Sequence, residues 1–402
     1  MADEARSAEH PVFPYIDALR GYAILLVITC HLTFSYPELP YPVHRLTILG
    51  WHGVQLFFLA SCVTLLLSWH GEVARRGRAD TAAFFLRRVF RILPAYYLGG
   101  LFYLWLDPPA QGFDPAQFLT AYGFVNLWHP LTAPTVIGQW SVIPGGWSVS
   151  VEFTFYALFP LIAGLITTLR RAVLFTLGAL ILAILANRAG FLLWGSAYST
   201  RAVEDILYFW FPNQLPIFAL GTVVFFLLRP AQHIIPPRRA SALAAAALVA
   251  FFALSWSSFP QWAGETAWTL GTAQAAALPL ALFVLALPLA LFVLALSRAA
   301  PKNLFVNPVA AWAGKISFSA YLLHYAAIEL LPGRFPQLFH TQTSGVAAIL
   351  AYAAGWIAVT GATCLGAFCT YHTIERPMIA LGRHLIQARR SRRAALAMGG
   401  SE

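Results

Sequence analysis

Apolar windows about the length of a membrane-spanning helix fill most of this 402-residue sequence. A helix of roughly 20 apolar residues crosses the hydrocarbon core of a bilayer. The windows lie near residues 16–36, 48–69, 85–106, 147–169, 172–187, 204–228, 241–259, 265–297, 309–331 and 344–370. Charged residues make up only 10% of the chain, whereas soluble domains carry about 25%. The sequence therefore predicts an all-α, polytopic transmembrane helix bundle of about ten spans.

Arginine and lysine residues concentrate in every second loop between the predicted spans. These loops and the segment after the last span contain Arg75, Arg76, Arg78, Arg87, Arg88, Arg91, Arg170, Arg171, Arg229, Arg238, Arg239, Arg298, Lys302, Arg383, Arg389, Arg390, Arg392 and Arg393. The opposite loops carry only Arg45, Arg188, Arg201 and Arg334. Because cytoplasmic loops are enriched in basic residues, this pattern predicts that both termini are cytoplasmic. The net charge of +10 is then a topology signal that also attracts anionic lipid, and it does not indicate nucleic-acid binding.

The sequence divides into three segments. Residues 1–12 are polar and acidic and lack the basic start and cleavage site of a signal peptide, so we expect a cytoplasmic N-terminal segment. Residues 13–378 form the predicted transmembrane domain, and residues 379–402 a basic cytoplasmic tail. The cysteines lie in apolar stretches without metal-type spacing, at Cys30, Cys62, Cys364 and Cys369. We therefore expect neither a disulfide nor a metal site.

Two ionisable residues, Arg20 and His31, lie inside the first predicted span. Burying such a group in hydrocarbon costs about 2.5 to 3.5 kcal/mol on insertion scales, which indicates a functional role. Eleven helical steps return to within about 20° of the same face, roughly 16 Å along the axis. This spacing suits an extended substrate that is anionic at one end and reactive at the other, as a coenzyme A thioester is.

Three arginines enter the third span from the predicted cytoplasmic side, in the segment FLRRVFRILPAYYL at 85–98. Arg87 and Arg91 are four residues apart and share a helix face, so together with Arg88 they could hold phosphates. The alternative is that these arginines anchor the helix by extending their charged ends to the membrane surface.

Polar residues also interrupt the fourth and ninth spans. Glu152 is the single acid in the central part of the fourth span, within GGWSVSVEFTFYALFPL at 145–161, and is a functional candidate or a hydrogen-bonding residue that holds helices together. The ninth span carries Tyr321 and His324 within KISFSAYLLHYAAI at 315–328, where the same two interpretations apply. Near the end of the tenth span, Glu375 in YHTIERPM could pair with the bundle or cap a helix.

Six blocks of this sequence together resemble the acyltransferase 3 family of integral membrane acyltransferases. In chain order they are PYIDALRGYAILLVITCHL, HGVQLFFLAS, FLRRVFRILPAYYL, WSVSVEFTFYALFPL, ISFSAYLLHY and IERP, and they extend over about residues 13–378. Gln55 stands where relatives commonly have aspartate, and Cys62 where they commonly have glycine. Some relatives carry a further C-terminal hydrolase-like domain, and we expect this chain to be the form without it.

The resemblance implies transfer of an acyl group, usually acetyl, from acyl-CoA to a hydroxyl of a glycan, a lipid-linked sugar or a glycosylated metabolite. By motif match, the catalytic residues would be His31, Arg20 and Glu152. The residues that bind the acyl-CoA co-substrate would be Arg20, Arg87, Arg88 and Arg91. Trp147, Ser150, Tyr321 and His324 are the candidate substrate-binding residues. The implied location is the bacterial cytoplasmic membrane, with lipid, acyl-CoA and a carbohydrate-bearing acceptor as partners.

The chemistry of acyl transfer gives a reason for a histidine at position 31. A hydroxyl is a weak acid, so a base must take its proton as it attacks the thioester carbonyl, and a neutral imidazole such as that of His31 is suited to this. A carboxylate could fix the tautomer of the imidazole, and Glu152 is the best placed acid by depth. Direct transfer and a covalent acyl-histidine relay both remain open at this point.

Two other functions fit the same topology. A transporter also has many spans, embedded charges and proline-containing helices, but the two halves of this chain show no visible repeat. A structural or sensor membrane protein would account for the spans and not for the spacing of Arg20 and His31.

Overall fold

The computed structural model describes residues 13–110, 112–133, 141–228, 236–257, 278–298, 304–339 and 343–399. The predicted N-terminal segment 1–12 and the first part of the eighth window, 265–277, lie outside the described residues. The helices are α1 Pro14–Thr33, α2 Tyr41–Ile48, α3 Gly53–Arg76, α4 Thr81–Leu106, α5 Pro115–Tyr122, α6 Trp147–Leu165, α7 Leu169–Trp194, α8 Thr200–Phe209, α9 Phe211–Leu228, α10 Pro237–Trp256, α11 Leu278–Ser297, α12 Pro308–Lys315, α13 Ser317–Arg334, α14 Pro336–Phe339, α15 Gly345–Thr370 and α16 Arg376–Gly399.

Nine helical segments within the described part of the chain are long and apolar enough to cross a membrane, judged by length and composition. They are Pro14–Thr33, Tyr41–Arg76, Thr81–Leu106, Trp147–Leu165, Leu169–Trp194, Ala202–Leu228, Arg238–Trp256, Leu278–Ser297 and Gly345–Arg392. Long apolar helices satisfy their own backbone hydrogen bonds in lipid. The predicted all-α polytopic bundle is therefore confirmed.

The window at 309–331, which the sequence predicts as a further span, contains α12 and the 18-residue α13. Neither is among the nine apolar segments. Helix α13 carries buried polar residues such as Ser319 and His324 and packs against α1, α4 and α15. Neighbouring helices thus shield the polar residues of α13, which is how a helix of this composition is accommodated inside a bundle.

Two glycines allow α1 and α12 to cross in close contact. A β-carbon on Gly21 would lie 2.1 Å from the carbonyl oxygen of Ala310, and one on Gly314 would lie 1.7 Å from that of Asp17. Both distances are far below van der Waals contact, and the obstructing atoms are backbone atoms. Small residues at such crossings let helix backbones approach each other in membrane proteins. The crossing fixes the part of α1 that carries Arg20.

We expect Gly314→Ala to destabilise the protein, because the added methyl group forces α12 away from α1. Overpacking of this kind costs about 1 to 3 kcal/mol, so the thermal unfolding midpoint in detergent should fall by several degrees. Gly178→Ala in α7 is the matched control, since nothing lies within 4 Å of a β-carbon there. Equal midpoints for the two variants would contradict the close crossing.

The predicted basic tail continues the last span as helix α16 and packs against α4. Arg390 contacts Glu72 at 2.5 Å and Arg389 contacts Asp80 at 3.4 Å. Glu72 also accepts a hydrogen bond of 3.0 Å from Arg87. These ion pairs join the end of α3, the start of α4 and the middle of α16 on the side of the bundle that the sequence predicts to be cytoplasmic.

Candidate functional site

A pair of histidines lies at the centre of the site. The Nδ1 of His31 on α1 is 2.8 Å from the Nε2 of His324 on α13, and the two rings are inclined by 16°. The Nδ1 of His324 is 2.6 Å from the carbonyl oxygen of Tyr321. His324 is fully buried. The ring of Tyr325 packs against His31 with centroids 4.5 Å apart.

A cavity of 350 Å³ opens beside His31 and is called here the histidine cavity. Its wall is largely aromatic and includes Phe34, Trp51, Trp147, Tyr208, Phe209 and Tyr325. Trp51 and Tyr208 stack with their centroids 5.8 Å apart. None of the described residues that line this cavity is Asp, Glu, Lys or Arg. The cavity is thus suited to an uncharged group with apolar surface.

A second cavity of about 70 Å³, the arginine cavity, contains most of the charged candidates. Its lining includes Arg20, Arg88, Arg91, Glu152, Tyr156 and Tyr321. The guanidinium of Arg88 also lies over the rings of Phe84 and Tyr156, at 5.9 and 6.0 Å from their centroids. Three guanidinium groups around one space form a site for an anion with several charged oxygens.

A thin partition separates the two cavities. Tyr321 donates a hydrogen bond of 2.8 Å to the carbonyl oxygen of Gly145, and Ser148 donates one of 2.8 Å to the Tyr321 hydroxyl. Gly145 lines the histidine cavity, Ser148 and Tyr321 line the arginine cavity, and Val54 lines both. Gly145 has a φ of 76°, a conformation that a glycine adopts readily. The two cavities therefore adjoin each other at Val54.

Two of the sequence-predicted site residues have other partners. Arg87 is hydrogen-bonded to Glu72, and it is not among the residues that line the arginine cavity. Ser150 donates a hydrogen bond of 2.7 Å to the side-chain oxygen of Asn126. The structure therefore brings Arg20, Arg88 and Arg91 together and leaves Arg87 and Ser150 outside both cavities.

Glu152 and His31 line different cavities, and the ring nitrogen Nδ1 of His31 meets His324. Glu152 interacts electrostatically with Arg20 and Arg88. A second acid in this region is Glu375, which is 2% exposed and accepts a hydrogen bond of 3.0 Å from Ser319. It lies in a π-helical turn, Tyr371–Glu375, and π-turns are frequent at functional sites. The sequence interpretation that Glu375 pairs with the bundle agrees with this geometry.

Sequence reasoning missed three side chains that shape the site. Trp51 and Tyr208 form one wall of the histidine cavity. Tyr103 on α4 donates a hydrogen bond of 2.7 Å to the carbonyl oxygen of Leu322 and accepts one of 3.1 Å from the amide of Ala326. Aromatic residues are so common in this chain that none of these three is marked by composition or spacing. No group of three or more potential metal ligands occurs among the residues that the structure describes.

Comparison with known proteins identifies the family. The model of the acyltransferase 3 family, described as an acyltransferase domain, matches residues 13–372. A Staphylococcus aureus (strain COL) protein named "Putative O-acetyltransferase" is 26% identical in an alignment of 348 positions that covers 79% of this chain and 51% of the relative. The Bacillus subtilis (strain 168) "Putative peptidoglycan O-acetyltransferase YrhL" is 26% identical over 39% of this chain and 24% of its own length.

"Acyltransferase MdmB" of Streptomyces mycarofaciens is 29% identical over 37% of this chain and 38% of its own length. The chain spans about half the length of the Staphylococcus aureus relative that it matches. No solved structure matches it significantly. Because the family model covers nearly all of the helical bundle, the chain belongs to the acyltransferase 3 family and is an integral, multi-pass membrane protein.

Proposed function

We propose that this protein transfers an acyl group, acetyl in the simplest case, from acyl-CoA to a hydroxyl of a carbohydrate-bearing acceptor. The observation that carries the proposal is the pairing of two adjoining cavities, one lined by three arginines and the other by a histidine. Acyl-CoA has the matching parts, since its phosphates are anionic and its thioester is neutral and reactive. The names of the relatives, which refer to O-acetyl transfer, support the same reaction.

The donor is proposed to bind with its phosphates in the arginine cavity. Arg20, Arg88 and Arg91 supply charge-assisted hydrogen bonds to phosphate oxygens there. The acyl-bearing arm then extends past Val54 toward His31. Glu152 interacts electrostatically with Arg20 and Arg88, so we propose that it keeps these two side chains oriented when no donor is bound.

The reaction is proposed to be direct transfer. The acceptor oxygen attacks the thioester carbonyl carbon while the Nε2 of His31 takes the hydroxyl proton. The new C–O bond forms, the C–S bond breaks, and the leaving thiolate takes the proton back from His31. Products are the O-acyl ester and coenzyme A. In the alternative relay, Nε2 of His31 would itself attack the thioester and carry the acyl group to the acceptor.

The acceptor is proposed to bind in the histidine cavity. The histidine cavity has a volume of about 350 Å³, and the rings of Trp51 and Tyr208 in its wall offer a surface for the apolar face of a sugar ring. An anionic group would find no cationic side chain among the described lining residues, and burying an unpaired charge costs several kcal/mol.

We propose that the protein lies in the bacterial cytoplasmic membrane with both termini in the cytoplasm.

The experiment that tests this function follows both substrates with the purified protein in detergent. Acetyl-CoA labelled in the acetyl group is incubated with the lipid and glycoside fractions of the source cells, and both thiol release and labelled product are measured. We expect label to appear as an alkali-labile ester together with one thiol per ester. Thiol release without any acylated product from either fraction, or no reaction at all, would contradict the proposal.

A further inference from the structure

Two hydrogen bonds determine which nitrogens of the histidine pair carry protons when both rings are neutral. The carbonyl oxygen of Tyr321 can only accept, so the Nδ1 of His324 must be the donor. The Nε2 of His324 then has a free electron pair, and the 2.8 Å contact requires the Nδ1 of His31 to donate to it. The Nε2 of His31 is left unprotonated, which is the form that a general base needs.

We propose that His324 is a positioning residue that holds His31 as the Nδ1–H tautomer, and that Tyr103 in turn holds His324. The inference rests on the proposed function, in which the Nε2 of His31 takes the proton of the acceptor. In this assignment His324 contacts the base His31 and not the substrate, whereas the sequence interpretation placed His324 in substrate binding.

His31 can act as a base only if a partner fixes its tautomer. A neutral imidazole exists as two tautomers, and the hydrogen bond that one nitrogen makes decides which nitrogen carries the proton. In the Nε2–H tautomer, the nitrogen that faces the acceptor would have no free electron pair. His324 is fully buried and donates to a backbone carbonyl within its own helix, so its acceptor nitrogen has a fixed direction.

Tyr103 fixes the helical turn that contains His324. In a regular α-helix the amide of Ala326 donates to the carbonyl oxygen of Leu322. Here the Tyr103 hydroxyl lies between these two groups, donating to Leu322 at 2.7 Å and accepting from Ala326 at 3.1 Å. A side chain inserted into the backbone ladder opens the helix locally. Tyr103 is 1% exposed, so both hydrogen bonds are shielded from bulk solvent.

Substitution of His324 tests the orientation directly. In the acetyl transfer assay, His324→Leu should lower kcat by about 10²- to 10³-fold, since the wrong tautomer of a catalytic histidine has a large effect in other enzymes. The dissociation constant for acetyl-CoA should stay within about twofold of the wild-type value. His324→Gln should recover part of the lost kcat, because its amide oxygen can accept from the Nδ1 of His31. Leucine and glutamine variants with the same kcat would overturn the orienting role.

Removal of the Tyr103 hydroxyl group tests whether Tyr103 holds His324 in place. Tyr103→Phe should lower kcat by about 10-fold with an unchanged dissociation constant for acetyl-CoA. Tyr97→Phe is the matched control, because Tyr97 lies on the same helix and its hydroxyl also donates to a backbone carbonyl, that of Tyr122. Equal effects of the two phenylalanine variants on kcat would show that Tyr103 acts only through stability.

Nuclear magnetic resonance of protein labelled with ¹⁵N in its histidines gives a readout that does not depend on turnover. The signals of His31 are assigned from the spectrum of His31→Ala, and we expect wild-type His31 as the Nδ1–H tautomer and a mixture of tautomers in His324→Leu. Wild-type His31 in the Nε2–H form would overturn the inference. An active His31→Ala variant would instead overturn the proposed function, so the two failures are distinguishable.

Discussion

His31→Ala is expected to reduce acetyl transfer by at least about a thousandfold. His31 is the one histidine among the described residues that line the histidine cavity, beside the proposed acceptor. A general base contributes about 10²- to 10⁴-fold to the rate, and the same ring returns the proton to the leaving thiolate. The measurement is kcat with acetyl-labelled acetyl-CoA, as in the transfer assay.

The control for this variant is His129→Ala, which changes an exposed histidine outside both cavities. It should leave kcat unchanged, and both variants should bind acetyl-CoA with wild-type affinity. If His31→Ala retains more than a few per cent of wild-type turnover, His31 is not the base.

Replacing Arg88 and Arg91, the two arginines of the third span that line the arginine cavity, is expected to weaken donor binding strongly. Each charge-assisted hydrogen bond that is lost costs about 1 to 3 kcal/mol. The double variant Arg88→Ala/Arg91→Ala should therefore bind acetyl-CoA roughly 30- to 10⁴-fold more weakly, if the two effects add. Calorimetric titration measures this change, and wild-type affinity should also fall as salt concentration rises.

Arg87→Ala separates phosphate binding from membrane anchoring. Arg87 belongs to the same basic segment, but it pairs with Glu72 and does not line the arginine cavity. Its replacement should leave the affinity for acetyl-CoA within about twofold of the wild-type value. Two results would contradict phosphate binding and favour membrane anchoring for all three arginines. One is a double variant that binds acetyl-CoA with wild-type affinity, and the other is an Arg87 variant that binds it as weakly as the double variant does.

The helices of the bundle are largely predictable from the sequence, because long apolar stretches have few other ways to satisfy their backbone in lipid. Helix α13 is the informative exception, since its polar residues make it less apolar than the nine segments that qualify by composition. Its burial depends on α1, α4 and α15, and hydropathy within one window carries no information about such neighbours.

The arginine cavity is also partly predictable. A charged residue inside a span is marked by its cost, and this criterion includes Arg20, Arg87, Arg88, Arg91 and Glu152, of which the structure brings all except Arg87 to one cavity. Contacts between side chains on distant helices are not predictable in this way. His31 and His324 are 293 residues apart in the chain, and no local spacing relates them. Depth in the membrane suggested Glu152 as the partner of His31, because the sequence could not provide the direction in which a side chain points.

Helix α4 connects the two ends of the site through one continuous element. It carries Arg88 and Arg91 in the arginine cavity and, 12 residues after Arg91, the Tyr103 hydroxyl that is inserted into α13. At about 1.5 Å per residue these groups are roughly 18 Å apart. Pro94 lies between them and lacks the amide hydrogen of a regular helix. The positions of the two arginines and of the Tyr103 hydroxyl therefore depend on the same helix, so a change in the tilt or kink of α4 would alter both.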